Sequence, residues 1–141
     1  YTRHFSSSKG EWSAEEHGKP VTHMGWEIYP DGIFELLERL HADYTLPTIY
    51  ITENGAAFDD QSTNDFVEDD NRIKYIESHL EYLAKAIKLG VNIKGYFVWS
   101  LFDNFEWSSG YTKRFGIIRV NYDTLERTPK KSALWFSRLI S

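Results

Sequence analysis

Two β-rich runs frame the centre of this sequence, and the segment between them decides how they can pair. Thr48-Ile49-Tyr50-Ile51-Thr52 ends at Asn54-Gly55, and Gly95-Tyr96-Phe97-Val98-Trp99 follows after a long connection. Within that connection Ile73, Ile76, Leu80, Leu83 and Ile87 step by three and four, which predicts a helix over residues 71–89. Asp70 or Asn71 can cap its start, Lys85 and Lys88 fall near its end, and Gly90 can supply a left-handed stop. A strand, a crossover helix and a second strand make parallel neighbours with a right-handed connection.

The flanks add less regular structure. A helix is expected from about Asp31, after Pro30, with Ile33, Leu37 and Leu40 on one face, and Pro47 separates it from the first strand. Phe115 to Val120 reads as a short strand followed by a turn at Asn121-Tyr122-Asp123. Thr128-Pro129 is expected to start a last helix carrying Ala133, Leu134, Phe136 and Ile140. Residues 1–30 are broken by Ser, Gly and Pro and read as irregular, although Trp12 and Trp26 argue against a plain linker. The main order is helix, strand, helix, strand, helix. Two parallel strands leave two open edges and close nothing, so the architecture is incomplete by itself.

Composition narrows the function classes. At 141 residues the chain can form one domain with a core. The 16 basic and 21 acidic side chains leave a net charge of −5 with no basic patch, which argues against a nucleic-acid partner. No apolar run reaches membrane-spanning length. Cysteine is absent, so disulfides and thiol chemistry are excluded. Tyr1 opens the sequence with no signal-peptide pattern after it, and a cytoplasmic location is expected. No cofactor or metal is expected: no His pair has ligand spacing on a helix face, and phosphate loops and a nucleophile elbow are missing.

Glu53 stands directly after the first strand, where parallel α/β folds place their chemistry, and Trp99 closes the second strand at the same end. Glu106 lies between Phe105 and Trp107. Acids flanked by rings suit sugars, whose C–H faces pack on aromatic surfaces while carboxylates accept from hydroxyls. Spacing alone leaves alternatives open: Glu53 as a turn residue before Asn-Gly, the tryptophans as core. Residues 59–70 hold Asp59, Asp60, Asp65, Glu68, Asp69 and Asp70 and no base, which reads as a solvated loop, with a calcium site as the minor reading.

Longer motifs go further. Ile51-Thr52-Glu53-Asn54-Gly55 resembles the nucleophile motif of glycoside hydrolase family 1, the β-glucosidase family. Gly95 through Trp107 is similar to the family's sugar-binding signature, which Gly110-Tyr111 and Lys113-Arg114-Phe115-Gly116 continue. Met24-Gly25-Trp26-Glu27-Ile28 and Tyr29-Pro30-Asp31-Gly32 resemble its segment between the sixth and seventh barrel strands. The resemblance covers essentially the whole chain. It implies an α/β fold that is the C-terminal portion of a (β/α)8 TIM barrel, with the seventh and eighth strands and their helices. Residues 1–141 would be one segment of a single catalytic domain, and Tyr1-Thr2 the tail of the motif closing the sixth strand.

The resemblance also implies roles. The family uses a retaining mechanism with two carboxylates. Glu53 would be the nucleophile, held by the Tyr1 hydroxyl. Trp99 would stack under the sugar, Glu106 would accept from the 4- and 6-hydroxyls, Trp107 would donate to the 3-hydroxyl, Phe115 would line the pocket and Trp26 would flank its entrance. Asn54 and Ser100 would hold the loops, and a cis peptide would follow Trp99. The acid/base glutamate belongs to an Asn-Glu-Pro motif that these residues lack. The expected partner is therefore a complementary N-terminal barrel segment, without which the chain is expected to be inactive. A branch acting on 6-phosphorylated sugars carries Ser and Tyr at the positions of Glu106 and Phe115, with a Lys at Lys113. Here only the Lys is present, so β-glucosides are favoured, with β-galactosides and β-fucosides also possible. A non-catalytic sugar-binding fragment and a purely structural barrel piece remain the other classes.

Overall fold

The computed structural model describes residues 14, 15, 17–60 and 66–141 in full, and the backbone at 6, 7, 10, 11, 62 and 63. In chain order the elements are β1 (Ser6–Ser7), β2 (Gly10–Glu11), α1 (Asp31–Asp43), β3 (Ile49–Asn54), β4 (Ser62–Thr63), β5 (Phe66–Val67), α2 (Asp70–Leu89), β6 (Ile93–Val98), a 3₁₀ turn (Trp107–Ser109), β7 (Ile118–Val120), β8 (Arg127–Pro129) and α3 (Lys131–Ile140). The β3 and β6 strands pair in parallel, as the crossover requires. The short strands pair as antiparallel hairpins, β1 with β2, β4 with β5 and β7 with β8.

Helix α2 forms where its apolar stripe predicts. Ile76, Leu83 and Ala86 are buried along it, and Gly90 takes the left-handed conformation at its end, φ 110°. Leu83, Ala86, Leu37 of α1 and Val91 form one core cluster, against which Ile49, Ile51 and Ile93 pack. Ala56, Tyr75, Ile76 and Ile117 form a second, packed by Val98, Tyr96 and Phe136 of α3. Both clusters lie on the helix side of the β3–β6 pair. The opposite side is bare: Tyr50 and Phe97 are 55% and 57% exposed. Parallel strands are apolar on both sides because both are normally covered, so this face is built to be packed against.

Three expectations are corrected. Neither Asp70 nor Asn71 caps α2; the cap position is Asp69, and its carboxylate makes no capping bond because it is held by Arg72 and Ser132. The last helix begins at Lys131 instead of Thr128-Pro129. Arg127–Pro129 is a strand paired with β7, and Lys130 stays extended. The acidic segment is not uniformly solvated. Asp59, Glu68 and Asp70 are exposed, but the side chains of Asp60 and Asp69 are 4% and 0% exposed.

Those two aspartates belong to a buried network of charges. The Arg72 guanidinium donates to Asp60 (2.8 and 3.0 Å), to Asp69 and to the Arg114 carbonyl (2.7 Å). The Lys130 ammonium bridges Asp60 and Asp103 at 2.5 and 2.9 Å. Asp103 also accepts from Arg114 and from the Gly116 and Val120 amides. Opposite charges close together make burial tolerable for each. Burial and the neighbouring Arg72 pull the Lys130 pKa below the usual lysine value, while Asp60 and Asp103 pull it back. The network ties the start of α2, the loop after β6 and the start of α3 into one unit beneath the strand ends.

Candidate active site

Because β3 and β6 are parallel, their C-terminal ends open at the same edge, and both deliver side chains there. The register makes the delivery selective. Ile51 pairs with Tyr96 and Asn54 with Val98, so three residues on β3 answer two on β6. Strict alternation from Ile49 and Ile51 assigns Glu53 to the helix-covered face. The bulge gives that buried place to Asn54, whose Oδ1 accepts from the Tyr96 hydroxyl at 2.8 Å, and leaves Glu53 exposed at the strand end. Tyr75 of α2 lines the same corner as Asn54. Burial pushes the Tyr75 phenol up to about 12, with the Asn54 side chain acting the other way.

The two strand ends touch directly. The Trp99 amide donates to the Asn54 carbonyl at 2.9 Å, and a Cβ on Gly55 would overlap the Trp99 carbonyl oxygen. Only a glycine fits between these backbones. Gly55→Ala in the assembled protein should therefore cost about 3 kcal/mol, the upper end of the overpacking range. Thermal unfolding checks this, and an unchanged midpoint would contradict the close approach.

Past Trp99 the chain turns through a cis Trp99–Ser100 peptide into the loop that carries the second carboxylate. The Glu106 amide donates to Gly110 O (2.7 Å), the Ser109 amide returns to Glu106 O (2.8 Å), and Trp107 sits at φ 44°. This tight turn holds Trp107 out into solvent, 83% exposed. Asn104 Nδ2 donates to Glu106 Oε2 at 3.0 Å. Phe115 is buried and meets the Trp26 ring at a centroid distance of 6.2 Å. The Trp26 backbone is fixed by Thr22, whose amide donates to Trp26 O at 2.8 Å.

The result is an open cleft of about 590 Å³, within the range of small-molecule sites. It brings together Glu53, Trp99, Glu106, Trp107, Phe115 and Trp26. Tyr1 lies outside the described residues. Thr22, Glu27, Asn54, Gly55 and Tyr75 complete the lining. Glu27 and Tyr75 were not singled out from the sequence. Glu27 had a readable signal, since it lies beside Trp26 as Glu106 lies beside Trp107. Tyr75 sits next to Ile76 on the buried stripe of α2 and reads as core. Among the described residues no group of three or more His, Asp or Glu side chains is placed to hold a metal ion. Chemically the cleft offers carboxylates, an amide and flat apolar rings at one strand edge. That combination can accept hydroxyl groups and pack a sugar ring.

The model of Glycosyl hydrolase family 1 matches residues 2–141. Beta-glucosidase A of Thermotoga maritima is 52% identical over 126 residues, 89% of this chain and 28% of that protein. A 6-phospho-beta-galactosidase of Streptococcus mutans is 50% identical over 121 residues, 85% of this chain and 26% of that protein. The crystal structure of the family's β-glucosidase from Exiguobacterium antarcticum B7 superimposes with a TM-score of 0.84 at 52% identity, covering 86% of this chain and 27% of that one. The chain thus spans little more than a quarter of the length of the relatives it matches, and its α/β fold is part of their TIM barrel. On this match the chain belongs to glycosyl hydrolase family 1.

Proposed function

We propose that this chain is the C-terminal third of a retaining β-glucosidase barrel, with β3 and β6 as its seventh and eighth strands. Glu53 is the nucleophile, and Trp99, Glu106, Trp107, Phe115 and Trp26 form the sugar subsite. Tyr1 steadies the nucleophile. The carrying observation is the cleft at the C-terminal strand edge, which gathers Glu53 with these five side chains. The acid/base carboxylate comes from a complementary barrel segment, which also covers the bare Tyr50 and Phe97 face. The reaction then needs the two carboxylates about 5–5.5 Å apart, one attacking the anomeric carbon and one protonating the leaving oxygen.

The substrate class follows from Glu106. Its carboxylate accepts from sugar hydroxyls and repels a 6-phosphate, which favours unphosphorylated β-glucosides. The similarity to a 6-phospho-beta-galactosidase keeps a second reading in view, because Lys113 could face a phosphate. Lys113 Nζ instead donates to the His23 carbonyl at 2.7 Å. Glu106→Ser in the assembled enzyme should lower kcat/KM for an aryl β-glucoside by about 1.5–3 kcal/mol, the worth of a hydrogen bond to a charged group. Full retained efficiency on the glucoside, or a native preference for the 6-phosphate, would overturn this assignment.

A further inference from the structure

The reading of Glu106 as the carboxylate that meets the sugar hydroxyls leaves open what aims it. Glu106 opens the tight turn of an exposed loop, and a free glutamate side chain has several rotamers to choose from. Among the described residues the hydrogen-bond partner of its carboxylate is Asn104, whose Nδ2 lies 3.0 Å from Oε2. A carboxylate only accepts, so the Asn104 amide must present its NH2 group to it. That fixes the other end of the amide. Asn104 Oδ1 points to the Ser100 hydroxyl, 3.0 Å away, and that hydroxyl is buried beside the Trp99–Ser100 peptide.

Both ends of the Asn104 side-chain amide are used. The second Nδ2 proton is directed to Phe105 O at 3.2 Å, and the backbone carbonyl accepts from the Tyr122 hydroxyl at 3.3 Å. Ser100 shares its one proton between Asn104 Oδ1 and Phe102 O, the latter 2.6 Å away. Ser100 is held in turn by backbone, its amide donating to Phe115 O and its carbonyl accepting from the Ile117 amide. A chain of bonds therefore runs from the buried end of β6 through Ser100 and Asn104 to Oε2 of Glu106. It occupies one carboxylate oxygen and leaves the other for a ligand.

We infer that Asn104 is the positioning residue for Glu106, and that through it Ser100 sets how strongly the site discriminates at the hydroxymethyl end of the sugar. Asn104 need not touch substrate for this. It removes the rotamer freedom that Glu106 would otherwise lose on binding, and its effect should be confined to sugars that use Glu106 fully. This rests on the proposed role of Glu106, and the test separates the two.

The experiment compares kcat/KM for an aryl β-glucoside with that for the matching aryl β-xyloside, which lacks the hydroxymethyl group, in the assembled enzyme. Asn104→Leu keeps the volume and removes the bonds. Asn104→Asp sets a second carboxylate against Glu106 and is nearly isosteric, so it remains informative if the Leu variant folds poorly. Both are expected to lower the glucoside-to-xyloside ratio about tenfold or more, with xyloside turnover falling much less, and Ser100→Ala to lower it severalfold. Glu106→Gln is the control. If it collapses the ratio while the Asn104 variants keep it, the positioning role is wrong and the role of Glu106 stands. If Glu106→Gln also keeps the ratio, the reading of Glu106 fails first. An equal loss on both sugars in the Asn104 variants would mark a general loop defect and would also overturn the inference.

Discussion

Glu53→Gln in the assembled enzyme is expected to lower β-glucoside hydrolysis by roughly four orders of magnitude or more, about 5.5 kcal/mol of barrier, while sugar binding persists. The amide keeps the shape of the side chain and cannot form the glycosyl-enzyme bond. The rest of the cleft does not depend on Glu53 for its construction. Trp99 is set by the hydrogen bond its backbone N–H donates to the Asn54 carbonyl, Glu106 by Asn104, and Phe115 by its packing and by its carbonyl, which accepts from the Ser100 N–H. Binding measured by titration with a glucoside-shaped inhibitor should therefore change far less than kcat. Turnover within tenfold of the parent would return Glu53 to the status of a turn residue before Asn-Gly.

The second large effect lies beneath the cleft. Arg72→Met in the assembled protein should cost about 3–5 kcal/mol of stability, because it removes the cation from between Asp60 and Asp69 and leaves buried negative charge short of a partner. Lys130 still faces Asp60, so Asp69 is the group left worst off. Its remaining bonds come from the Ser132 amide at 2.8 Å and the Ser132 hydroxyl. The double variant Arg72→Met, Asp69→Asn should regain part of the loss, since an amide costs less to bury than a carboxylate. Denaturant or thermal unfolding decides it; a single variant within about 1 kcal/mol of the parent would mean the network is not worth what its burial implies.

The parts of this architecture carried by periodicity were legible. The stripe on α2 and the β-rich runs on either side fix the parallel unit, since both signals are local. The bulge at the end of β3 was not, because alternation in Ile49-Tyr50-Ile51 gives no sign that three residues will answer two on β6. Yet the bulge turns Glu53 toward the cleft. Asp60 looked solvated because the cations that bury it, Arg72 and Lys130, come from later elements, and a charge run shows none of that pairing. Asp69 has its cation three residues on, at Arg72, but the Ser132 contacts that complete its burial come from α3. Thr128-Pro129 carried a helix-start signal that lost to pairing with β7, whose backbone needs the Arg127–Pro129 partner.

The candidate site was readable to different depths. Rings beside acids flagged Glu106 without any fold, and the family resemblance of the motif around Glu53 is what favours the nucleophile reading over a turn residue. Asn104 had no such mark. Its importance arises only when the loop folds so that residues 100, 104 and 106 converge, which no spacing rule predicts. The same holds for Tyr75, whose place on a buried helical stripe conceals that it lines the cleft beside Asn54. Side chains that act by contact across elements are the ones a linear reading loses.

The most direct measurement is covalent capture of the nucleophile. A 2-deoxy-2-fluoro-β-glucoside with a good leaving group, incubated with the assembled enzyme, should add one fluoroglucosyl unit to the intact mass of this chain, because the fluorine slows both steps while the good leaving group keeps formation of the glycosyl-enzyme faster than its hydrolysis. Proteolysis and fragment mass spectrometry should place the label on Glu53 within Ile51-Thr52-Glu53-Asn54-Gly55, and Glu53→Gln should abolish it. A label on Glu106 or Glu27, or none on this chain under conditions where the enzyme is inactivated, would contradict the assignment of Glu53 as the nucleophile.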